Sequence, residues 1–236
     1  MLKRVICATL LLAAFAYADS GDSKVGEVMS VTGDAVIKRK GEWVQPKIGE
    51  QIRTIDTIET DKNSRLVARF ADGTEVTIGA NSSVNVRDFV AEGENQKADL
   101  SFTKGAFKVV TGKIGKIAPQ NFSLRTSTAT IGVRGTTIHG IIGSTGDKIM
   151  CASGTINVKG SSGNTVEVEA GKASNISPSG VAGAAYEANF ADFPLYNPWT
   201  ENPLYIAFIV LAVIFIAVDA AIILYIVRVR ARRKKA

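Results

Sequence analysis

Leu66-Val-Ala-Arg-Phe-Ala-Asp-Gly-Thr-Glu-Val-Thr-Ile78 reads as two short strands joined by a tight turn. Apolar Leu66, Ala68 and Phe70 recur at every second position, as do Val76 and Ile78. That period of two sends alternate side chains to opposite faces of a sheet. Asp72-Gly73 between the two runs is a strong hairpin signal, because a type I′ turn needs positive φ at both central residues. The same grammar extends outward in both directions. From Val25 to Ile176 the chain consists of short alternating or β-branched segments broken by Gly, Asn and Asp, with no sustained 3.6-residue period. Strands are predicted at 27–31, 34–39, 57–60, 65–70, 75–78, 83–87, 99–103, 106–111, 122–126, 128–133, 136–142, 148–152, 155–159, 165–169 and 172–176. The reading is an all-β domain over residues 19–176, solenoid-like or sandwich, with few helix candidates before residue 204.

The two ends of the chain are of a different kind. Met1-Leu-Lys-Arg4 is a basic leader, residues 5–15 are apolar, and Ala16-Tyr-Ala18 is a small-x-small cleavage pattern, so residues 1–18 read as a secretory signal peptide. Residues 177–203 read as a linker and juxtamembrane segment, beginning Ser177-Pro-Ser-Gly and continuing through Pro194, Pro198 and Pro203. The aromatic residues Phe193, Tyr196, Trp199 and Tyr205 suit the headgroup level of a bilayer. Residues 204–227 form an apolar run that would be roughly 36 Å long as a helix, against a hydrocarbon core of about 30 Å. They are expected to be one transmembrane α-helix, followed by the basic tail 228–236. Cations remain on the cytoplasmic side, which puts the β-domain outside the cytoplasm.

Charge follows this division. Of the 28 Lys and Arg, Lys3, Arg4 and six tail residues lie at the ends, leaving 20 cations against 21 acids between Asp19 and Pro203. The net charge of +6 is therefore not a nucleic-acid footprint, and no nucleic acid is expected as a partner. The tail needs only topology and membrane lipid to explain it. Loss of Cys7 with the leader leaves Cys151 alone, either as a small buried strand residue or as a thiol joining two chains.

Four segments occur in a characteristic order: Thr54-Ile-Asp-Thr-Ile-Glu-Thr60, Arg65-Leu-Val-Ala-Arg-Phe-Ala-Asp-Gly-Thr74, Val76-Thr-Ile-Gly-Ala-Asn-Ser82 and Thr126-Ser-Thr-Ala-Thr-Ile-Gly-Val-Arg-Gly-Thr136. Together they resemble the FecR domain, with a core at about residues 53–142. The last segment departs from the family pattern in carrying Ser127 where proline is usual and Ile138 where phenylalanine is usual. The resemblance implies an all-β extracytoplasmic domain and supplies no catalytic residue. Within the last segment, Arg134 is the side chain of interest. Its planar guanidinium suits either a clamp on a ligand carboxylate or an internal ion pair with Asp56, Glu59 or Asp72.

Catalytic, cofactor and metal sites find no pattern. His139 is the only histidine and lies in an apolar strand, which argues against a Ser-His-Asp arrangement and against zinc. The acid pairs Asp56/Glu59 and Glu167/Glu169 would support glycoside hydrolysis only if they faced one cleft. Asp219, inside the apolar run, would either contact another membrane helix or sit as a neutral acid hydrogen-bonded to its own helix.

The expected function is therefore non-enzymatic. The chain reads as a single-pass protein of a bacterial inner membrane whose periplasmic β-domain binds or scaffolds an envelope protein or a polysaccharide such as peptidoglycan. It would act alone or as a homo- or hetero-oligomer. Transmembrane signalling through a membrane partner is the alternative; an envelope glycan hydrolase is the third.

Overall fold

The computed structural model describes residues 23–197, residue 207 and residues 210–218. Seventeen strands account for most of them. In chain order these are β1 (Lys24–Thr32), β2 (Ala35–Arg39), β3 (Glu42–Val44), β4 (Gln51–Arg53), β5 (Thr57–Thr60), β6 (Arg65–Phe70), β7 (Glu75–Ile78), β8 (Ser83–Val90) and β9 (Lys97–Val110). One short helix, α1 (Lys113–Ile117), and a 3-10 turn (Pro119–Asn121) follow. The chain then forms β10 (Phe122–Arg125), β11 (Ala129–Val133), β12 (Thr137–Gly143), β13 (Gly146–Ser153), β14 (Thr155–Gly160), β15 (Thr165–Glu169), β16 (Lys172–Ile176) and β17 (Tyr186–Glu187).

All seventeen strands are hydrogen-bonded into one large open sheet. Its pairings resolve into two layers. The first runs β4-β1-β6-β7-β9-β12-β13-β16-β17. The second runs β3-β2-β5-β8-β9-β10-β11-β14-β15. Strand β9 belongs to both: its first part pairs with β8 and β10, and residues 105–110 pair with β7 and β12. The change of layer falls at Gly105, whose φ is +85°. A Cβ there would stand 2.1 Å from Ser82 Oγ, so both the backbone angle and the space require glycine.

Alternation places the core between the layers. In β6, Leu66, Ala68 and Phe70 are buried, and in β14, Ile156 and Val158 are. Residues of both layers join one hydrophobic cluster. Phe70 of the first layer stacks on Phe89 of the second with ring centroids 4.8 Å apart. Full burial of each such side chain contributes about 1.5–3 kcal/mol.

The 66–78 hairpin forms with a different turn from the one expected. Its loop is Ala71-Asp-Gly73, with Gly73 N–H donating to Phe70 O (2.9 Å) and Phe70 N–H to Thr74 O (2.8 Å). Only Gly73 is left-handed. This is a type I turn closed by a glycine bulge, and it leaves Asp72 free to turn its carboxylate inward.

Two expectations for the fold are corrected. In place of a solenoid-like or sandwich domain followed by a transmembrane α-helix, the structure has one large open sheet, continuous through β9. Among the described residues no helix is long and apolar enough to cross a membrane. The chain divides into units Met1–Leu195 and Tyr196–Ala236. In the second unit residues 207 and 210–218 are helical and exposed. The rest of the 204–227 run, Asp219, the 1–18 leader and the 228–236 tail lie outside the described residues.

Residues 177–195, whose composition suggested a linker, make specific contacts in the first unit. Asn164 Nδ2 donates to Ala182 O (2.7 Å), Ser174 Oγ donates to Gly183 O (2.7 Å), and β17 pairs with β16. Beyond β17 the chain crosses the outer face of the first layer. Phe193, expected at a headgroup level, is buried there, edge-on to His139 at 6.4 Å.

Candidate functional site

The two acids of the Asp56/Glu59 pair are committed within the fold. Asp56 is fully buried and accepts two hydrogen bonds from Arg39, Nε to Oδ1 at 2.9 Å and Nη2 to Oδ2 at 2.8 Å. A third comes from Arg53 N–H (2.8 Å). The bidentate fork fixes the corner where β4 passes to β5. Glu59 pairs with Lys38 at 2.9 Å.

Asp72 fastens the hairpin to α1. Its carboxylate accepts from Thr74 N–H (2.9 Å), Thr74 Oγ1 (2.9 Å) and Ile114 N–H (3.2 Å), and its carbonyl accepts from Lys113 N–H (2.8 Å). Gly112 lies so close beneath that a Cβ would meet Asp72 O at 2.4 Å.

Arg134 therefore has none of the three anticipated partners. It is exposed, on the loop between β11 and β12, and among the described residues it pairs with no acid. Its neighbour Gly135 donates its N–H to Gly115 O of α1 (2.9 Å), which sets Arg134 beside that helix. The role of α1 was not legible in the sequence, since five residues with a central glycine carry no helical period.

Glu167 and Glu169 lie on edge strand β15, where both are exposed, and Glu169 pairs with Lys172 at 2.7 Å. The Lys172 hydrogen bond and charge lower the Glu169 pKa. Glu167 stands opposite Asn157 in the ladder and Glu169 opposite Thr155, so each acid faces a neutral strand residue.

The other reactive side chains are buried. His139 is 1 % exposed. The Cys151 thiol is pushed up to about 11 by burial, only partly offset by its hydrogen bond to Ser153 O (3.3 Å). Such a thiol is protonated and inert at neutral pH. Asp147, also buried, accepts from Thr128 Oγ1. Among the described residues no group of three His, Cys, Asp or Glu is arranged to hold a metal ion.

What remains open is the outer face of the second layer. One register row crosses all nine strands: Trp43, Lys38, Thr57, Asn85, Ser101, Arg125, Thr130, Lys159 and Thr165, each directly opposite the next. None is buried, and Trp43 is 71 % exposed. Within the row Asn85 Nδ2 donates to Thr57 Oγ1 (2.8 Å), and Lys38 Nζ lies 4.6 Å from the Trp43 ring centre. Arg125 bonds Asp99 in the neighbouring row at 2.9 Å. The result is a hydrogen-bonding surface with one exposed aromatic ring at its edge.

The chain is similar to several known proteins. Two crystal structures of a candidate anti-sigma factor from Parabacteroides distasonis ATCC 8503 match at 13 % and 12 % identity with TM-scores of 0.47 and 0.46. Each match covers 56 % of this chain and 59 % of the other, so the chain spans well under two thirds of that protein's length. A structure described as a cell surface anchoring domain matches at 26 % identity with a TM-score of 0.26, over 27 % of this chain and 84 % of that one. Among curated proteins none matches. The family described as FecR protein matches residues 56–176, a little over half of the 236-residue chain and the segment holding β5 to β16. The chain belongs to the FecR family.

Proposed function

We propose that the chain is a non-catalytic binding and scaffolding module that acts outside the cytoplasm, holding an envelope protein or polymer against the open face of its second layer. The observation that carries this reading is the nine-residue row from Trp43 to Thr165. At a strand spacing of about 4.8 Å it runs roughly 38 Å, long enough for an extended partner. Hydroxyls, an amide and three cations along it offer donors and acceptors. An exposed Trp supplies an anchor of the kind enriched at binding hot spots. Catalysis has little support, because Asp56, Glu59, the thiol and the imidazole are each committed to packing or pairing, and Glu167 and Glu169 lie exposed on an edge strand.

Two assays on the full chain test this: co-sedimentation with purified peptidoglycan, and capture of envelope proteins on the immobilised protein. Retention by one of them, lowered by Trp43→Ala combined with Lys159→Glu, is expected. Failure of both assays, or retention indifferent to those substitutions, contradicts the reading.

A second reading, a part in signalling through the bound partner, is supported by membership of the FecR family. It uses the same surface and adds a response to occupancy.

A further inference from the structure

Helix α1 is an exposed knob held rigidly at its base. Its inward residues Ile114 and Gly115 are buried, and a Cβ on Gly115 would meet Thr111 Cβ at 2.8 Å. Asp72 holds Lys113 and Ile114 through their N–H groups, and Gly135 N–H holds Gly115 O. The outward face is Lys113, Lys116 and Ile117, which share one side at spacings of three and four residues. Gly135 lies against the Lys116 stem, with its built Cβ 3.6 Å from Cγ, so Arg134 extends the same patch. Ile117 is 62 % exposed on the same short helix as Lys113 and Lys116. No acid among the described residues pairs with Lys113, Lys116 or Arg134. The adjacent acid, Asp72, is buried with its oxygens engaged by Thr74 and Ile114.

We infer that α1 and Arg134 form a docking surface for an acidic protein segment that presents an apolar side chain to Ile117 and carboxylates to Lys113, Lys116 and Arg134. Charge complementarity supplies the attraction and the register. The apolar centre selects a protein over a hydrated anionic polymer, which has nothing to cover Ile117. Five residues are also too short for the amphipathic face that lies along a lipid surface. This surface is separate from the open row of the second layer, so the module would hold two partners or two parts of one.

The test uses the full chain and three labelled probes: a synthetic peptide of glutamates interrupted by leucines, a poly-glutamate peptide of equal charge, and dextran sulfate. The leucine-containing peptide is expected to bind tightest and to weaken as salt is raised. The triple variant K113E/K116E/R134E should lose about tenfold or more in affinity, and Ile117→Ser should remove the preference for the leucine peptide over poly-glutamate. Lys62→Glu, an exposed charge reversal elsewhere, should leave binding unchanged. Thermal midpoints near that of the unaltered chain certify the fold of each variant. The inference is overturned if the leucine peptide fails to bind, if the triple variant binds as well as the original, or if dextran sulfate or poly-glutamate binds equally tightly. Because the triple variant and Ile117→Ser leave the Trp43 row unaltered, loss of this inference leaves the binding face of the second layer standing.

Discussion

The two layers carry matching rows on their outer faces, and the rows have opposite fates. In the first layer Thr77, Lys108, His139, Met150, Ala173 and Tyr186 stand opposite one another across six strands. There Thr77, His139, Met150 and Ala173 are buried, and Phe193 lies edge-on to His139. In the second layer the row from Trp43 to Thr165 has no buried member. A row that holds methionine and histidine is closed by the chain itself. A row of hydroxyl, amide and charged groups is left to water or to a partner. The difference separates a face that stabilises the fold from a face available to bind.

The largest expected effect probes what holds the open layer together when nothing covers it. Asp56→Ala leaves the half-buried Arg39 guanidinium without its fork and Arg53 N–H without an acceptor, and should cost about 3–5 kcal/mol in denaturant unfolding. A loss under about 1 kcal/mol would show that the corner is not where this layer is anchored.

Next, Phe193→Ala tests whether the cover over the first layer is structural. It should cost about 3 kcal/mol and make Met150 oxidisable by peroxide in the native state. Unchanged stability with protected Met150 would erase the contrast between the faces.

A smaller effect concerns the ion pair at the margin of that cover. Lys148 Nζ lies 2.9 Å from Asp192 Oδ2. The Asp192 hydrogen bond raises the Lys148 pKa from 10.5, burial opposes it, and the charges of Tyr186 and Asp192 add to it. Because the folded value is raised, the contribution is fully present below the ordinary lysine pKa and is lost as pH rises through the raised one. Both partners are partly exposed, so Asp192→Asn should cost only about 0.2–1 kcal/mol at pH 7. The gap between the variant and the original should close above pH 10.5. A gap that widened there would refute the assignment.

Smallest of all, Ser101→Ala and Thr130→Ala on the open row should each shift stability by less than about 0.5 kcal/mol. A larger loss would mean that this face supports the fold as the other does.

Much of this was legible in the chain. The strands at 57–60, 65–70, 75–78, 165–169 and 172–176 have the bounds that the sequence predicts. The family motifs pointed to the same domain. The sequence predicts two strands, 99–103 and 106–111, where the structure has β9 alone, and only the pairing on both sides shows one strand bending between layers. Strands β3 and β4 are three residues each, too short for periodicity to register. The distant partners of Asp56 and Asp72, Arg39 at the end of β2 and Ile114 in α1, are far away in sequence, so no spacing rule could find them. Phe193 followed the pattern of a membrane-interface aromatic, yet it is seated on His139. The apolar composition of 204–227 meets the length rule for a span, whereas among the described residues no helix is long and apolar enough for one.

Lysine footprinting of the full chain, mixed with an envelope fraction and labelled with an amine-reactive reagent, tests the central claim most directly. Binding to the open face predicts that Lys38 and Lys159 become protected while Lys148 and Lys172 label as in the free protein. Protection confined to Lys148 and Lys172, or no protection at any of the four, would contradict it.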